Sequence, residues 1–226
     1  MRFVTFWEAA ERLRGRRVAL VGSAPSVLEN ERGFIDGHEV VVRVNNYKLS
    51  DAAGRRTDVF YSFFGGSIRK TSEELQQDGV YLCMCKCPDD KPIASPWHER
   101  MGKQAGIDFR YIYRARRDFW FCDTYVPSSD RFRAGFELLG GHVPSTGFAA
   151  LLDVLACEPR ELYLTGFDFF SSGMHNVDEA WKAGDPADPI GHASERELRW
   201  VAANASRHPL VLDAQLQRMV RRACDG

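Results

Sequence analysis

The sequence predicts one α/β domain in which helices cover both faces of a mostly parallel β-sheet. Short apolar runs that end in glycine or asparagine, such as "RRVALVG" and "EVVVRVNN", suit buried strands. Helical patterns separate these runs along the chain, as in folds built from alternating strands and helices. The 226 residues contain no repeat or low-complexity segment, so we expect a single Rossmann-like domain over 1–226.

The elements of the first half follow from apolar runs and their stop signals. A helix is predicted from Thr5 to Leu13, followed by the strand "RRVALVG" and by a turn with a short helix over "APSVLENERGFIDGH". "EVVVRVNN" and "DVFYSFF" predict the second and third strands. "SEELQQDG" predicts a helix that closes with a glycine, and "VYLCMCK" the fourth strand.

The second half continues the alternation. "FRYIYR" predicts a strand and "SDRFRAGFELLGG" a helix, and "PSTGFAALLDVLACEP" has the pattern of a capped apolar helix that Pro159 stops. "RELYLTGFDFF" predicts a strand, and the last elements are the helix "SERELRWVAANAS", the strand "PLVLD" and the helix "AQLQRMVRRAC". The segment from Ser171 to Pro189 is rich in Gly, Pro, Asp and Ser, so we expect a mobile lid loop over 170–190 above the active site.

Bulk properties exclude several functional classes. The formal net charge of −1 gives no electrostatic reason to expect a nucleic-acid partner. The N-terminal sequence lacks the apolar core of a signal peptide, and no run approaches the roughly 18 apolar residues of a spanning helix. We therefore expect a cytoplasmic location.

Three cysteines, Cys83, Cys85 and Cys87, alternate in "YLCMCKCP". Alternation places them on one face of a strand, which is the favoured interpretation. The alternative is a soft-metal site completed by His98, but tetrahedral sites usually combine a C-x₂₋₄-C pair with a second, distant pair. We predict no metal site.

Chemistry-bearing residues follow directly after predicted strands. "GSAPS", "RVNN" and "GFDFF" each end one strand, and ligands of parallel sheets bind at these carboxyl ends. "VALVGSAPS" has one glycine where the dinucleotide fingerprint needs three, and no Gly-Lys-Ser/Thr follows. A dehydrogenase or methyltransferase is therefore disfavoured, although "GSAPS" is also compatible with a plain turn.

The "PSTG" segment has the pattern of an anion site. Ser145 or Thr146 stands at the N-cap of an apolar helix, and Gly147 leaves its first turn open. Free N–H groups and the helix dipole favour an anion there, although an ordinary cap has the same sequence. No Asp-x-Asp triplet occurs to hold a metal on a diphosphate.

Three segments, in order, resemble the motifs of sialyltransferases. "VALVGSAPSVL" with "VVVRVNN" is similar to the first donor-binding motif, "PSTGFAALLDVLACEPRELYLTGFDFF" to the second, and "IGHASERELRWV" to the segment with the catalytic histidine. The resemblance is to bacterial glycosyltransferase family 42, with the "PSTG" pattern and the H-x₄-E spacing of family 29. It implies a GT-A-like variant of the fold and an inverting transferase that uses a CMP-activated acid sugar without metal.

The resemblance assigns roles to particular positions. His192 would be the general base that removes the proton of the acceptor hydroxyl. The implied donor-binding residues are Gly22, Ser23, Pro25, Ser26, Asn45, Asn46, Ser145, Thr146, Gly147, Gly166, Phe167, Asp168 and Phe169.

Some positions depart from the family pattern. Phe170 stands where family 42 has a phosphate-binding tyrosine, and His175 is the candidate to replace the second such tyrosine. Ser23 stands where asparagine is usual. CMP-Kdo or another CMP-nonulosonic acid is therefore an alternative donor, and a nucleotide-binding module without transferase activity is an alternative function.

The neighbours of His192 form an S-x-x-E sequence, in which Ser194 is predicted as N-cap and Glu197 as its capping-box partner. His192 would then face the positive end of this helix, which disfavours imidazolium and suits a general base.

A glycan acceptor, such as lipooligosaccharide or capsule, is the implied second substrate. The C-terminal "LQRMVRRACDG" is compatible with a solvated helix and with a basic edge at the inner membrane, and a homo-oligomer is also compatible with the sequence.

Overall fold

The computed structural model describes residues 2–64, 68–88, 121–171, 174–176, 179–180 and 193–225. The strands are β1 (Phe3–Val4), β2 (Arg17–Val21), β3 (Val40–Val44), β4 (Val59–Ser62), β5 (Leu82–Cys85), β6 (Asp123–Tyr125), β7 (Glu161–Thr165), β8 (Met174–Asn176), β9 (Glu179–Ala180) and β10 (Leu210–Leu212). The helices are α1 (Phe6–Ala10), α2 (Ser72–Gln77), α3 (Ser129–Leu138), α4 (Thr146–Ala156), α5 (Ser194–Asn204) and α6 (Ala214–Asp225). Two short 3₁₀ helices span Pro25–Glu29 and Ile35–Gly37.

Eight of these strands form one sheet in the order β1-β6-β5-β4-β3-β2-β7-β10. Every neighbouring pair in it is parallel, which confirms the predicted α/β class. Apolar side chains of β2 point alternately to two faces: Val18 and Leu20 join the cluster under α4, α5 and α6, whereas Ala19 and Val21 pack on the face of the 3₁₀ helices. Because both faces are covered, the strand sequences are continuous apolar runs.

The chain order creates a switch point between β2 and β7. From β2 the chain adds β3, β4, β5 and then β6 in one direction, and it returns to place β7 and β10 on the other side of β2. Connections that leave two neighbouring strands in opposite directions open a crevice at the carboxyl edge of the sheet. Val21 of β2 is the register partner of Thr165 of β7, so Gly22 and Gly166 follow side by side at this crevice.

Several predicted boundaries were wrong. Thr5 is the N-cap of α1, and this helix ends at Ala10 rather than Leu13. β1 and β6 were not predicted, because strands of two and three residues leave no periodic pattern. The predicted loop after β7 contains the antiparallel pair β8 and β9. The predicted strand "FRYIYR" lies outside the described residues.

The strand interpretation of the alternating cysteines is confirmed for Cys83 and Cys85, which lie in β5, whereas Cys87 follows two residues after the end of the strand. Cys83, Cys85 and Cys87 are all buried in one apolar cluster with Phe60 and Leu75. Within the described residues, no group of three or more His, Cys, Asp and Glu side chains is arranged to hold a metal ion. In the same part of the chain, no helix is long and apolar enough to cross a membrane.

Candidate functional site

The crevice is built on two glycines in direct backbone contact. Gly22 N–H donates to the carbonyl of Thr165 at 2.8 Å, and Ala24 N–H donates to the carbonyl of Gly166 at 2.9 Å. A Cβ on Gly22 would overlap the carbonyl oxygen of Gly166. Gly166 has a φ of +73°, and a Cβ there would lie 2.8 Å from the carbonyl oxygen of Gly22. Only glycine at both positions permits this approach.

Phe167 connects the crevice to the first turn of α4. Phe167 is 8% exposed, and its ring lies against both Gly22 and Gly147. A Cβ on Gly147 would lie 2.5 Å from Cε1 of Phe167. Gly147 therefore lets α4 start directly above the Phe167 ring, and this places the N-terminus of α4 beside the switch point.

Ser145 is the N-cap of α4, as one of the two predicted alternatives had it. Its Oγ accepts from the backbone N–H of Phe148 at 3.1 Å. Thr146 and Gly147 occupy the first two helical positions, whose N–H groups have no acceptor within a helix. These N–H groups and the helix dipole favour an anion at this end.

The predicted capping box of Ser194 and Glu197 at α5 is wrong. The N-cap of α5 is Ala193, and no side chain caps this helix. The Glu197 carboxylate is 0% exposed and accepts from Ser145 instead, at 2.6 Å from the backbone N and 2.7 Å from Oγ. The physical reason is burial. Ser145 offers two donors that are buried and must find an acceptor in the protein, whereas the start of α5 is partly exposed, so water can bind its N–H groups.

Sequence reasoning missed that Glu197 joins two helices. The only signal in the sequence is the four-residue spacing of Glu197 and Val201, which places both on one face of α5. The structure shows that this face is buried, since both side chains are 0% exposed. The neighbouring Arg196 fixes the same helix from its other side, since its Nη1 donates to the carbonyl of Leu139 at 2.9 Å. Two consecutive residues of α5 thus fix this helix: Arg196 bonds the end of α3, and Glu197 bonds the start of α4.

Lys86 is a second buried charge that the sequence did not single out. It follows β5, is 7% exposed, and interacts electrostatically with Glu197. Burial lowers the pKa of Lys86, while the nearby Cys87 and Glu197 act in the opposite direction. Its ammonium partly balances the negative charge that Glu197 brings to the start of α4.

Asn45 and Asn46 occupy the carboxyl end of β3. Asn45 has a φ of +51°, and its Oδ1 accepts from the hydroxyl of Ser62 at 3.1 Å. The described residues provide no acceptor for its amide nitrogen, which therefore keeps two donors for a ligand. Asn46 Oδ1 accepts from the backbone N–H of Arg69 at 2.7 Å.

An open cavity of about 180 Å³ adjoins the crevice. Predicted donor-binding residues line one side of it, and the segment after β3 lines the other. The lining residues are Gly22, Ser23, Val27, Leu28, Asn46, Lys48, Leu49, Ser50 and Ala53. Pro25 starts the 3₁₀ helix beside it, but Ser26 is only 2% exposed and does not line the cavity.

The "GFDFF" segment forms a tight turn after β7. Asp168 Oδ1 accepts from the backbone N–H of Phe170 at 2.9 Å, and the carbonyl of Asp168 accepts from Ser171 at 2.9 Å. Phe169 and Phe170 both have positive φ, +49° and +63°. Asp168 thus shapes the turn with its side chain, while Phe169 packs against the core.

The structure brings together the residues from the three segments that resemble sialyltransferase motifs. Gly22 and Gly166 touch, Phe167 contacts Gly147, and Ser145 contacts Glu197. His192 lies outside the described residues, and the predicted lid at 170–190 lies largely outside them. The backbone of His175 belongs to β8.

We expect that replacing Gly147 with alanine will displace Phe167 and lower the melting temperature. Alanine improves helix propensity by about 0.8–1 kcal/mol, but the overlap with a packed ring costs about 1–3 kcal/mol. Thermal unfolding of Gly147→Ala measures the balance. In a chain that already carries Phe167→Leu, Gly147→Ala should lower the melting temperature less than it does in the unmodified protein. Unfolding of Gly147→Ala at the wild-type temperature would contradict the role of this glycine.

No protein-family model and no curated protein sequence matches the chain. Solved structures do match. The sialyltransferase CstII from Campylobacter jejuni, in complex with the substrate analogue CMP-3FNeuAc, superimposes with a TM-score of 0.56, covers 90% of this chain and 85% of its own, and is 16% identical. A mammalian sialyltransferase gives a TM-score of 0.54 at 20% identity, over 88% of this chain and 68% of its own.

A third match is an α-2,3-sialyltransferase from Campylobacter jejuni in its apo form. It has a TM-score of 0.51 and 13% identity, over 88% of this chain and 74% of its own. The three matches cover between 88% and 90% of this chain. The chain therefore has the fold of the sialyltransferases.

Proposed function

We propose that the protein is a glycosyltransferase that moves sialic acid, or a related acid sugar, from a CMP-sugar to a hydroxyl of a glycan. The observation that carries this proposal is the crevice at the switch point, where the Gly22–Gly166 contact faces the N-terminus of α4. Sialyltransferases of this fold have been solved with a CMP-sugar analogue and with CMP. CMP carries a single phosphate, which fits one helix N-terminus.

The residues of the crevice divide the donor between them in this proposal. Gly22 and Gly166 bring the carboxyl ends of β2 and β7 together, and Phe167 lies beside them, so the nucleoside would bind in the crevice at these ends. The N–H groups of Thr146 and Gly147 hold the phosphate or the sugar carboxylate. Asn45 donates its amide nitrogen to the nucleotide. As CMP leaves, these fixed donors stabilise the growing negative charge on its phosphate.

His192 is the proposed general base. The described chain resumes at Ala193, whose carbonyl accepts from Glu197 N–H at 2.9 Å. Four residues of helix rise by about 6 Å. Since Glu197 touches Ser145, the chain enters α5 within about one helical turn of the proposed anion site. This closeness of the start of α5 to the anion site supports the proposal that the histidine immediately before it acts on the acceptor hydroxyl.

We also propose, from the sequence, that no metal takes part and that His175 contacts the leaving phosphate. Lipooligosaccharide or capsule is the proposed acceptor, at the cytoplasmic side of an inner membrane. Phe170 favours a second candidate, a nucleotide-binding module without transfer, because it has no hydroxyl for a phosphate.

Nucleotide selectivity is the first test. In a thermal-shift panel of CMP, CDP, UDP, NAD and S-adenosylmethionine, we expect CMP to raise the melting temperature most. At a concentration 100-fold above its dissociation constant, a ligand stabilises by about 2.7 kcal/mol. Protection by NAD or S-adenosylmethionine without protection by CMP would overturn the proposal.

The second test is transfer itself. We expect CMP release from CMP-Neu5Ac or CMP-Kdo to rise when a glycan acceptor is added and to persist in EDTA. His192→Ala should lose at least about 100-fold in turnover while it still binds CMP. His208→Ala is the control, because His208 precedes β10 at the amino ends of the strands, whereas the crevice lies at their carboxyl ends. If CMP-sugars bind but no acceptor leads to CMP release, the nucleotide-binding module is favoured. If His192→Ala keeps full turnover, His192 is not the general base.

A further inference from the structure

Two cysteines from neighbouring strands lie within reach of each other. Cys83 is in β5, and Cys122 directly precedes β6. Their Sγ atoms are 3.5 Å apart. Cys83 is the register partner of Thr124, and Cys122 stands two residues before Thr124, so both side chains point to the same face. The described residues include all six cysteines of the chain, and none of them is in a disulfide.

The two thiols have different surroundings. Cys83 is 0% exposed, whereas Cys122 is half-buried and reachable from solvent. The hydrogen bond with Cys83 lowers the pKa of Cys122; its partial burial and Asp123 oppose this shift, and Arg12 supports it. The same hydrogen bond and burial raise the pKa of Cys83. Cys122 is thus the more reactive thiol, because it is reachable from solvent and its pKa is lowered, and Cys83 is buried beside it.

We propose that Cys83 and Cys122 are a peroxide-sensitive site that closes to a disulfide between β5 and β6. The Cys122 thiolate attacks one oxygen of hydrogen peroxide, the O–O bond breaks, and the second oxygen leaves as hydroxide that a proton converts to water. The Cys83 sulfur then attacks the sulfenic acid of Cys122. The S–O bond breaks, and the hydroxyl leaves with the Cys83 proton as a second water. Two thiols and one peroxide give one disulfide and two waters, and the two electrons pass from sulfur to oxygen.

The step requires movement of the two sulfurs and of the backbone before β6. A disulfide has an S–S distance of about 2.05 Å, so the sulfurs must approach by roughly 1.5 Å. Rotation about the Cα–Cβ bond of Cys122 supplies part of this. Because Cys122 is offset by two residues from the register partner of Cys83, its backbone must also shift towards β5. Cys122 stands before the start of β6, so this shift does not break the ladder. The ladder from Leu82 to Met84 holds Cys83 in place.

The test is the number and position of oxidised cysteines. The full chain is treated with hydrogen peroxide, quenched, unfolded and alkylated with N-ethylmaleimide. We expect two fewer alkylated thiols than the six of the untreated protein, and a cross-linked peptide that contains Cys83 and Cys122. Cys157→Ser and Cys224→Ser should form the same cross-link. Retention of all six thiols, or a cross-link between other cysteines, would overturn the proposal.

The order of attack has its own readout. In Cys83→Ala, the sulfenic acid of Cys122 has no partner, and we expect dimedone to label Cys122. In Cys122→Ser, Cys83 should stay reduced. Dimedone labelling of Cys83 instead would contradict the assignment of Cys122 as the attacking thiol. The cross-link of the unmodified chain is mapped without any variant, so a variant that fails to fold leaves the test intact.

Discussion

Glu197→Gln is expected to lower the free energy of unfolding by about 3 kcal/mol, because it breaks a buried charge-assisted contact. Both carboxylate oxygens accept from Ser145, at 2.6 and 2.7 Å. A glutamine of the same size can accept only one of these bonds, and its NH₂ group would face the other donor. Urea or thermal unfolding measures the loss.

The same helix supplies the control for this prediction. Glu195 is exposed and bonds Arg199 one turn away at 2.6 Å, and its removal should cost only about 0.3–0.5 kcal/mol. A double-mutant cycle with Ser145→Ala should show coupling between Glu197 and Ser145, since the two side chains touch. If Glu197→Gln and Glu195→Gln were equally mild, Glu197 would not hold α5 to α4.

The proposed function adds a second readout to Glu197→Gln. Loss of the Ser145 contact frees the N-cap of α4, so the N–H groups of Thr146 and Gly147 are no longer fixed. We expect CMP affinity to fall at least about tenfold at a temperature where the variant is still folded. Full affinity in a folded variant would separate the structural role of Glu197 from the donor site.

Gly22→Ala is expected to have the second large effect, a loss of about 3 kcal/mol or more in unfolding free energy. The new Cβ would overlap the carbonyl oxygen of Gly166, which is backbone in a central pair of strands and cannot move aside. For a chain of this length the corresponding fall in melting temperature is about 6–12 °C. Thermal unfolding measures it.

Gly37→Ala is the matched control, because a Cβ there meets nothing within 4 Å and its φ is not positive. It should unfold within about 2 °C of the unmodified protein. Gly166→Ala should be at least as harmful as Gly22→Ala, since it adds a strained φ of +73° to a contact at 2.8 Å. A mild Gly22→Ala would mean that β2 and β7 can separate at their carboxyl ends.

Much of the site could be predicted from local pattern. "RRVALVG" and "RELYLTG" are continuous apolar runs that end in glycine, and both are central strands whose glycines meet. Ser145 at an N-cap before an apolar helix is equally local, because an N-cap is defined by its own next three residues. The resemblance to sialyltransferase motifs placed the same segments at one site, and the shared fold agrees with it.

Glu197 shows where local pattern stops. S-x-x-E is the capping-box sequence, and Thr5 with Glu8 and Thr71 with Glu74 form that box in this chain. Ser194 and Glu197 do not, because the buried donors of Ser145, 52 residues away, bind the carboxylate instead. The boxes that form are exposed, where no distant donor competes.

The sequence by itself determined the α/β class, the central strands and the capped start of α4, because apolar runs, glycine stops and this N-cap depend on near neighbours. Only the tertiary structure decided the strand order, the contact between Gly22 and Gly166, the partner of Glu197 and the approach of Cys83 to Cys122. Each of these joins residues that are far apart in the chain. Which donor and acceptor meet is set by the desolvation of buried groups, and that is a property of the folded sheet and its covering helices.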